Sequence, residues 1–121
     1  MKLMTKELRR KLPAIYETQL QETDVMCVAK FFTPDANWTW YVIEGSPALD
    51  DDGNEIDFTF FGLVDGIEME MGYFSLKELQ SIRGPLGLTI ERDLHWKPKP
   101  LKEIAPELFS SDDAAEKSEQ G

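Results

Sequence analysis

One cysteine and one histidine occur among 121 residues. Cys27 therefore has no partner for an internal disulfide, and a reducing cytoplasm is the simplest compartment. His95 as the sole imidazole excludes a multi-histidine metal site and leaves a single candidate base near neutral pH. No apolar run approaches the roughly 18 residues of a membrane span, and the opening MKLMTKELRRKL lacks the apolar region of a signal peptide, so no membrane association is expected. Cations are scarce too. Thirteen Lys and Arg against 23 Asp and Glu leave a net charge of −10, which argues against nonspecific DNA, RNA or acidic-membrane binding as the main activity. There is no P-loop, GxGxxG, GxSxG or CxxC pattern, hence no recognisable phosphate cradle, nucleophile elbow or thiol pair.

What is present suits one globular domain over residues 1–109: 41% apolar, 30% charged and 11% aromatic residues. Residues 110–121 (SSDDAAEKSEQG) carry no apolar anchor beyond two alanines and are expected to be a disordered acidic tail. The charge is uneven. Residues 1–12 and 92–102 are basic, whereas residues 13–91 hold fifteen acids against Lys30, Lys77 and Arg83.

Thr5 is placed to cap a short helix in which Met4, Leu8 and Leu12 share a face, ended by Pro13. Residues 19–24 (QLQETD) read as a connection, and residues 25–32 (VMCVAKFF) as a strand. A second strand over residues 38–44 and a third over residues 56–64 form a hairpin across GSPALDDDGNE. Tyr73 and Phe74 lead from a short strand into a helix opened by the capping-box spacing of Ser75 and Glu78, with Leu76, Leu79 and Ile82 facing inward. Residues 90–96 suggest a further strand, and KPKP reads as an extended segment barred from a central strand position. These elements predict an α+β fold, an antiparallel sheet of about four or five strands with two or three short helices. Both sheet faces are apolar, with Trp38, Trp40 and Val42 on one and Tyr41 and Ile43 on the other. The second side therefore needs residues 94–109, a partner chain or a ligand as cover.

ALDDDGNEID clusters carboxylates about a glycine. The EF-hand register nonetheless fails: with Gly53 sixth, Ala48 stands first and Thr59 twelfth, where oxygen donors are required. A solvated hairpin tip explains it, and no metal or cofactor is implied. Glu68 and Glu70 alternate with Met69 and Met71 and would share a strand face; with Asp35 or Asp93 they could hold a divalent metal or do acid-base work, and otherwise make a polar face. Glu68, Glu70, Asp93 and His95 are thus the candidate catalytic residues. Cys27 in an apolar strand should be inert. Gly84, Pro85 and Gly87 make a tight turn that can present Arg83 and Arg92 beside Asp35, Asn37, Trp38 and Trp40, a candidate binding surface or an internal ion-pair network.

The phrases FFTPDANWTWY (31–41), DGNEIDFTFFGLVDG (52–66), MGYFSLKEL (71–79), RGPLGLTIERD (83–93) and KPKPL (97–101) resemble a small bacterial family catalogued as domain of unknown function, number twenty-nine fifty-eight. The resemblance runs over about residues 1–101. Members occur on plasmids, integrative elements and phage, so it implies a cytoplasmic, single-domain accessory protein of a mobile element, and brings no reaction, cofactor or catalytic residue. Two functions are weighed. One is a non-enzymatic protein-binding role, with an acidic surface imitating DNA phosphates before a host DNA-binding enzyme, or self-association through an apolar sheet face; direct nucleic-acid binding is not expected. The other is a small metal-dependent nuclease or phosphodiesterase.

Overall fold

The computed structural model describes residues 2–18 and 25–108. The connection expected at residues 19–24, and Phe109 with the tail after it, lie outside the described residues. Local capping chemistry starts two of the helices where the sequence places them. Thr5 is extended and its Oγ1 accepts from the Leu8 amide at 3.1 Å, opening α1 (Lys6–Lys11).

The single strand expected over residues 25–32 divides in two. β1 (Met26–Cys27) and β2 (Ala29–Phe32) belong to different sheets, with only Val28 between them. Apolar, β-branched sequence specifies a strand but not its neighbour. β3 (Thr39–Leu49) and β4 (Glu55–Asp65) run further than expected, so the eleven-residue connection shrinks to residues 50–54. There Asp50 Oδ1 accepts from the Asp52 and Asn54 amides at 2.9 and 2.8 Å, and Gly53 takes a left-handed φ of 84°. Pro47 is tolerated inside β3 because β2 pairs only with Thr39 to Val42 and does not reach it.

β5 (Met69–Ser75) pairs along β4 from Asp65↔Met69 to Thr59↔Ser75, and Ser75 Oγ then accepts from the Glu78 amide at 3.1 Å to open α2 (Leu76–Ser81). β6 (Glu91–Arg92) lies against β2, and β7 (Lys99–Pro100) pairs with β1 ahead of α3 (Leu101–Ile104). Among the described residues the result is an α+β fold: a five-stranded antiparallel sheet in the order β5-β4-β3-β2-β6, a two-stranded sheet β1-β7, and three short helices.

Both faces of the large sheet are covered over its central strands, as its apolar pattern requires, while Met71 and Tyr73 leave the β5 end of the second face exposed. On the first, Phe31, Trp40, Val42, Phe58, Phe60 and Phe74 meet Leu3, Leu8 and Leu12 from the α1 region, Leu79 of α2 and Ile90. On the second, Ile43 and Leu63 meet Val25, Cys27, Leu101 and Ala105, with Trp96 and Leu108 packed alongside. The chain's own C-terminal segment, expected as one possible cover for this side, does pack there, together with Val25 and Cys27. That part of the sheet face is therefore not available for self-association.

One irregularity matters below. The β3-β4 register shifts between Val42 and Glu44, so Ile43 is an extra, bulged residue. Strict alternation would put Glu44 on the first face with Trp40 and Val42. The bulge instead sets it opposite Phe61, on the second face.

Candidate functional site

The β2-β3 turn, the β4-β5 turn and the loop before β6 lie together at one end of the large sheet, as the pairs Phe32↔Thr39, Thr39↔Asp65, Asp65↔Met69 and Phe32↔Glu91 require. In the first turn, the Thr33 amide donates to the Trp38 carbonyl and the Trp38 amide to Thr33 Oγ1, so Asp35 and Asn37 are held on a closed loop. Asp35 spans the gap to residues 84–88. Its Oδ2 accepts from the Leu86 amide at 2.7 Å and from the Leu88 amide at 3.4 Å. Gly84 has no Cβ to obstruct that carboxylate, and Gly87, at φ 81°, closes the turn back onto the Gly84 carbonyl. Asp35 thus ties the turn before β3 to the 84–88 turn.

The other residues expected on this surface separate. Trp38 stacks on Trp40 at 6.0 Å, with its ring against Gly66, and stays 39% exposed. Trp40 is 5% exposed and belongs to the core, where alternation places it beneath α2 and the N-terminal segment. Arg83 Nη1 donates to the carbonyls of Gln80 and Ile82, so its cation serves the C-terminal end of α2. Arg92 lies on β6, where Nη1 donates to Thr5 Oγ1 at 3.3 Å.

The four catalytic candidates fall into two pairs. Glu68 and Glu70 stand at the β4-β5 turn and on the β5 edge. Asp93 follows β6 at the other edge, its amide on the Lys30 carbonyl and its Oδ1 accepting from the His95 amide. Four inter-strand steps, about 19 Å, separate the two edges. Among the described residues no three His, Cys, Asp or Glu side chains are grouped to hold a metal ion. Burial pushes the Cys27 thiol up to about 12, far from nucleophilic at neutral pH.

Charge is sorted by the fold. Parts of the two basic stretches meet around Trp96: its Nε1 donates to the Cys27 carbonyl, Lys99 Nζ lies 4.5 Å and Lys30 Nζ 5.9 Å from its ring, and Lys11 and Arg92 share a cavity of about 170 Å³ with it, whereas Arg9 reaches across to pair with Glu55 of β4. The Lys11 ammonium holds the Glu7 carboxyl below the usual carboxylate range, with smaller help from Arg10 and Arg92. On the far edge, a cavity of about 260 Å³ opens between Trp38, Val64, Ile67, Glu68 and Glu70. Ile67 is 92% exposed, and Leu86 and Leu88 are exposed at the same end of the sheet. Large apolar side chains left in water at one end of a sheet mark an interaction surface.

Sequence reasoning passed over Glu44, Tyr16 and Tyr73. Glu44 is 3% exposed, yet its Oε1 accepts from the Tyr16 amide at 3.0 Å, and its Oε2 from the Thr18 amide at 2.7 Å and the Thr18 hydroxyl at 2.6 Å. This buried carboxylate pins residues 13–18 along the stretch of β3 that β2 leaves open, where the Gly45 amide also donates to the Pro13 carbonyl. Tyr16 takes a φ of 77°, a strained conformation for a side chain of its size. A side-chain hydrogen bond with Tyr16 raises the Tyr73 hydroxyl above the ordinary tyrosine range, followed by burial. The one signal in the sequence is a lone carboxylate ending the apolar run WTWYVIE.

Comparison with curated proteins and with solved structures finds no match in either. The description of one family, protein of unknown function (DUF2958), matches residues 3–106, and with that extent the chain belongs to the DUF2958 family.

Proposed function

We propose that this is a non-enzymatic accessory binding protein of a plasmid, integrative element or phage, and that its acidic β4-β5 edge imitates the phosphate charge of DNA before the cationic cleft of a host DNA-binding enzyme. The observation that carries the reading is the segregation of charge. Residues 50–78, covering the hairpin tip, β4, β5 and the start of α2, hold nine carboxylates and a single lysine, Lys77. Lys11, Lys30, Arg92 and Lys99 collect around Trp96, which packs on Tyr41 of the central strand β3, with Glu7 and Asp93 lining the cavity that Lys11 and Arg92 share. An anionic face of this kind steers association with a cationic partner and repels nucleic acid itself. The competing nuclease or phosphodiesterase reading needs Glu68, Glu70, Asp93 and His95 in one pocket, and the strand order supports the binding role by setting them at opposite edges.

The test is capture from a host lysate on the immobilised protein, with duplex DNA as the eluent and mass spectrometry of the eluate. A DNA-binding enzyme released by duplex DNA is the expected result. A captured set that contains no nucleic-acid-binding protein, or that duplex DNA leaves in place, overturns the proposal.

A further inference from the structure

Resting on that reading, we infer that the cavity between Trp38, Val64, Ile67, Glu68 and Glu70 receives one arginine side chain of the partner protein. Its walls divide into two chemistries. Trp38, Val64 and Ile67 offer an apolar surface to a side-chain stem, and Glu68 and Glu70 offer carboxylates to a cationic head. Those two acids belong to the stretch of nine carboxylates with one lysine, so the cavity sits within the most anionic part of the chain. Its volume of about 260 Å³ suits a single long side chain rather than a helix or a ring system.

The aromatic wall is preorganised. Trp38 stacks on the buried Trp40 at an interplanar angle of 28°, and Gly66 lies against the ring where any Cβ would collide with it. The indole keeps one part of its surface for a ligand without having to order itself on binding. Ile67, 92% exposed at the tip of the turn, is an apolar group in water that an incoming stem would cover. Arginine fits better than lysine: its planar guanidinium stacks on an aromatic ring while its fork bonds to carboxylates, and it sheds water more easily than an ammonium. A DNA-binding enzyme carries such arginines where it meets phosphates.

The experiment titrates the full chain with oligo-arginine, oligo-lysine and oligo-citrulline peptides of equal length, following the Trp38 indole N–H by NMR. The expected result is a Trp38 shift with oligo-arginine, weaker binding of oligo-lysine and none of the uncharged citrulline peptide. Glu68→Gln with Glu70→Gln should weaken oligo-arginine binding by at least about tenfold, as loss of both charged acceptors implies. Glu103→Gln with Glu107→Gln removes the same charge from exposed positions outside the acidic stretch 50–78 and should leave affinity within about twofold. Equal losses from the two double variants, or an unmoved Trp38 signal, overturn the inference. Self-association of the wild type that the Glu68→Gln and Glu70→Gln pair abolishes would make a second copy the occupant, and overturns it as well. In the lysate capture, equal recovery of a DNA-displaceable enzyme by wild type and by that pair overturns the cavity assignment alone. A wild type that captures no such enzyme overturns the functional reading, while the Trp38 titration still decides the cavity.

Discussion

Glu44→Gln removes one charge and one acceptor from a buried position while keeping the shape of the side chain. In the native protein three donors converge on this carboxylate, and the group is 3% exposed, so water cannot stand in for a lost acceptor. The glutamine amide retains one oxygen and turns an NH₂ group toward either the Tyr16 amide or the Thr18 pair. If it faces Thr18, the hydroxyl can rotate to accept, but the backbone amide cannot. At least one N–H therefore loses its acceptor in either orientation, and the surviving bonds become neutral ones. Hydrogen bonds to charged groups contribute about 1.5–3 kcal/mol, and the relief of desolvating a buried charge offsets part of the loss. A net destabilisation of about 2 kcal/mol follows, equivalent to roughly 8 °C in Tm for a domain of this size. Urea unfolding measures the global term. Hydrogen exchange at the Tyr16 and Thr18 amides measures the local one, and both should lose protection. The Tyr73 hydroxyl reports independently: once residues 13–18 loosen, its ionisation should fall back toward the ordinary tyrosine range, because contact with Tyr16 is the chief cause of its elevation. A variant within about 0.5 kcal/mol of wild type, with unchanged exchange at both amides, would refute the view that Glu44 fastens this segment.

Two further outcomes follow from the same geometry. Gly84→Ala places a Cβ against the Asp35 carboxylate, so the 84–88 turn should loosen at a cost of about 1–3 kcal/mol; thermal melting checks this, and an unchanged Tm would show that Asp35 is not what holds the turn. The Asn54 amide, with the Asp52 amide behind it, holds the Asp50 carboxyl below its ordinary range, so Asp50 contributes stability above its unfolded-state value that is lost as pH falls through the folded one. Asp50→Asn should therefore melt lower than wild type at neutral pH and converge with it in acid, and a difference that stays constant with pH would contradict the assignment.

Local chemistry was legible in the sequence wherever a residue acts on its own neighbours. Thr5 and Ser75 cap helices because their hydroxyls meet amides three residues on, and Gly53 turns the hairpin because, lacking a Cβ, it accepts a left-handed backbone cheaply. Alternation of apolar residues likewise announced a sheet that must be covered on both sides. Tertiary structure decided what depends on remote partners. Period-two patterning is blind to which strand lies alongside, so it could not divide residues 25–32 between two sheets. Nor could it register the bulge at Ile43 that carries Glu44 to the other face, or distinguish buried Trp40 from half-open Trp38. The strand order then set Glu68 and Glu70 at one edge and Asp93 and His95 at the other, and drew Lys11 and Lys30 to the side of Arg92 and Lys99. Composition determined that the protein is strongly anionic. Only the pairing of strands, which trades chain entropy for contacts between residues far apart in sequence, determined where that charge is displayed.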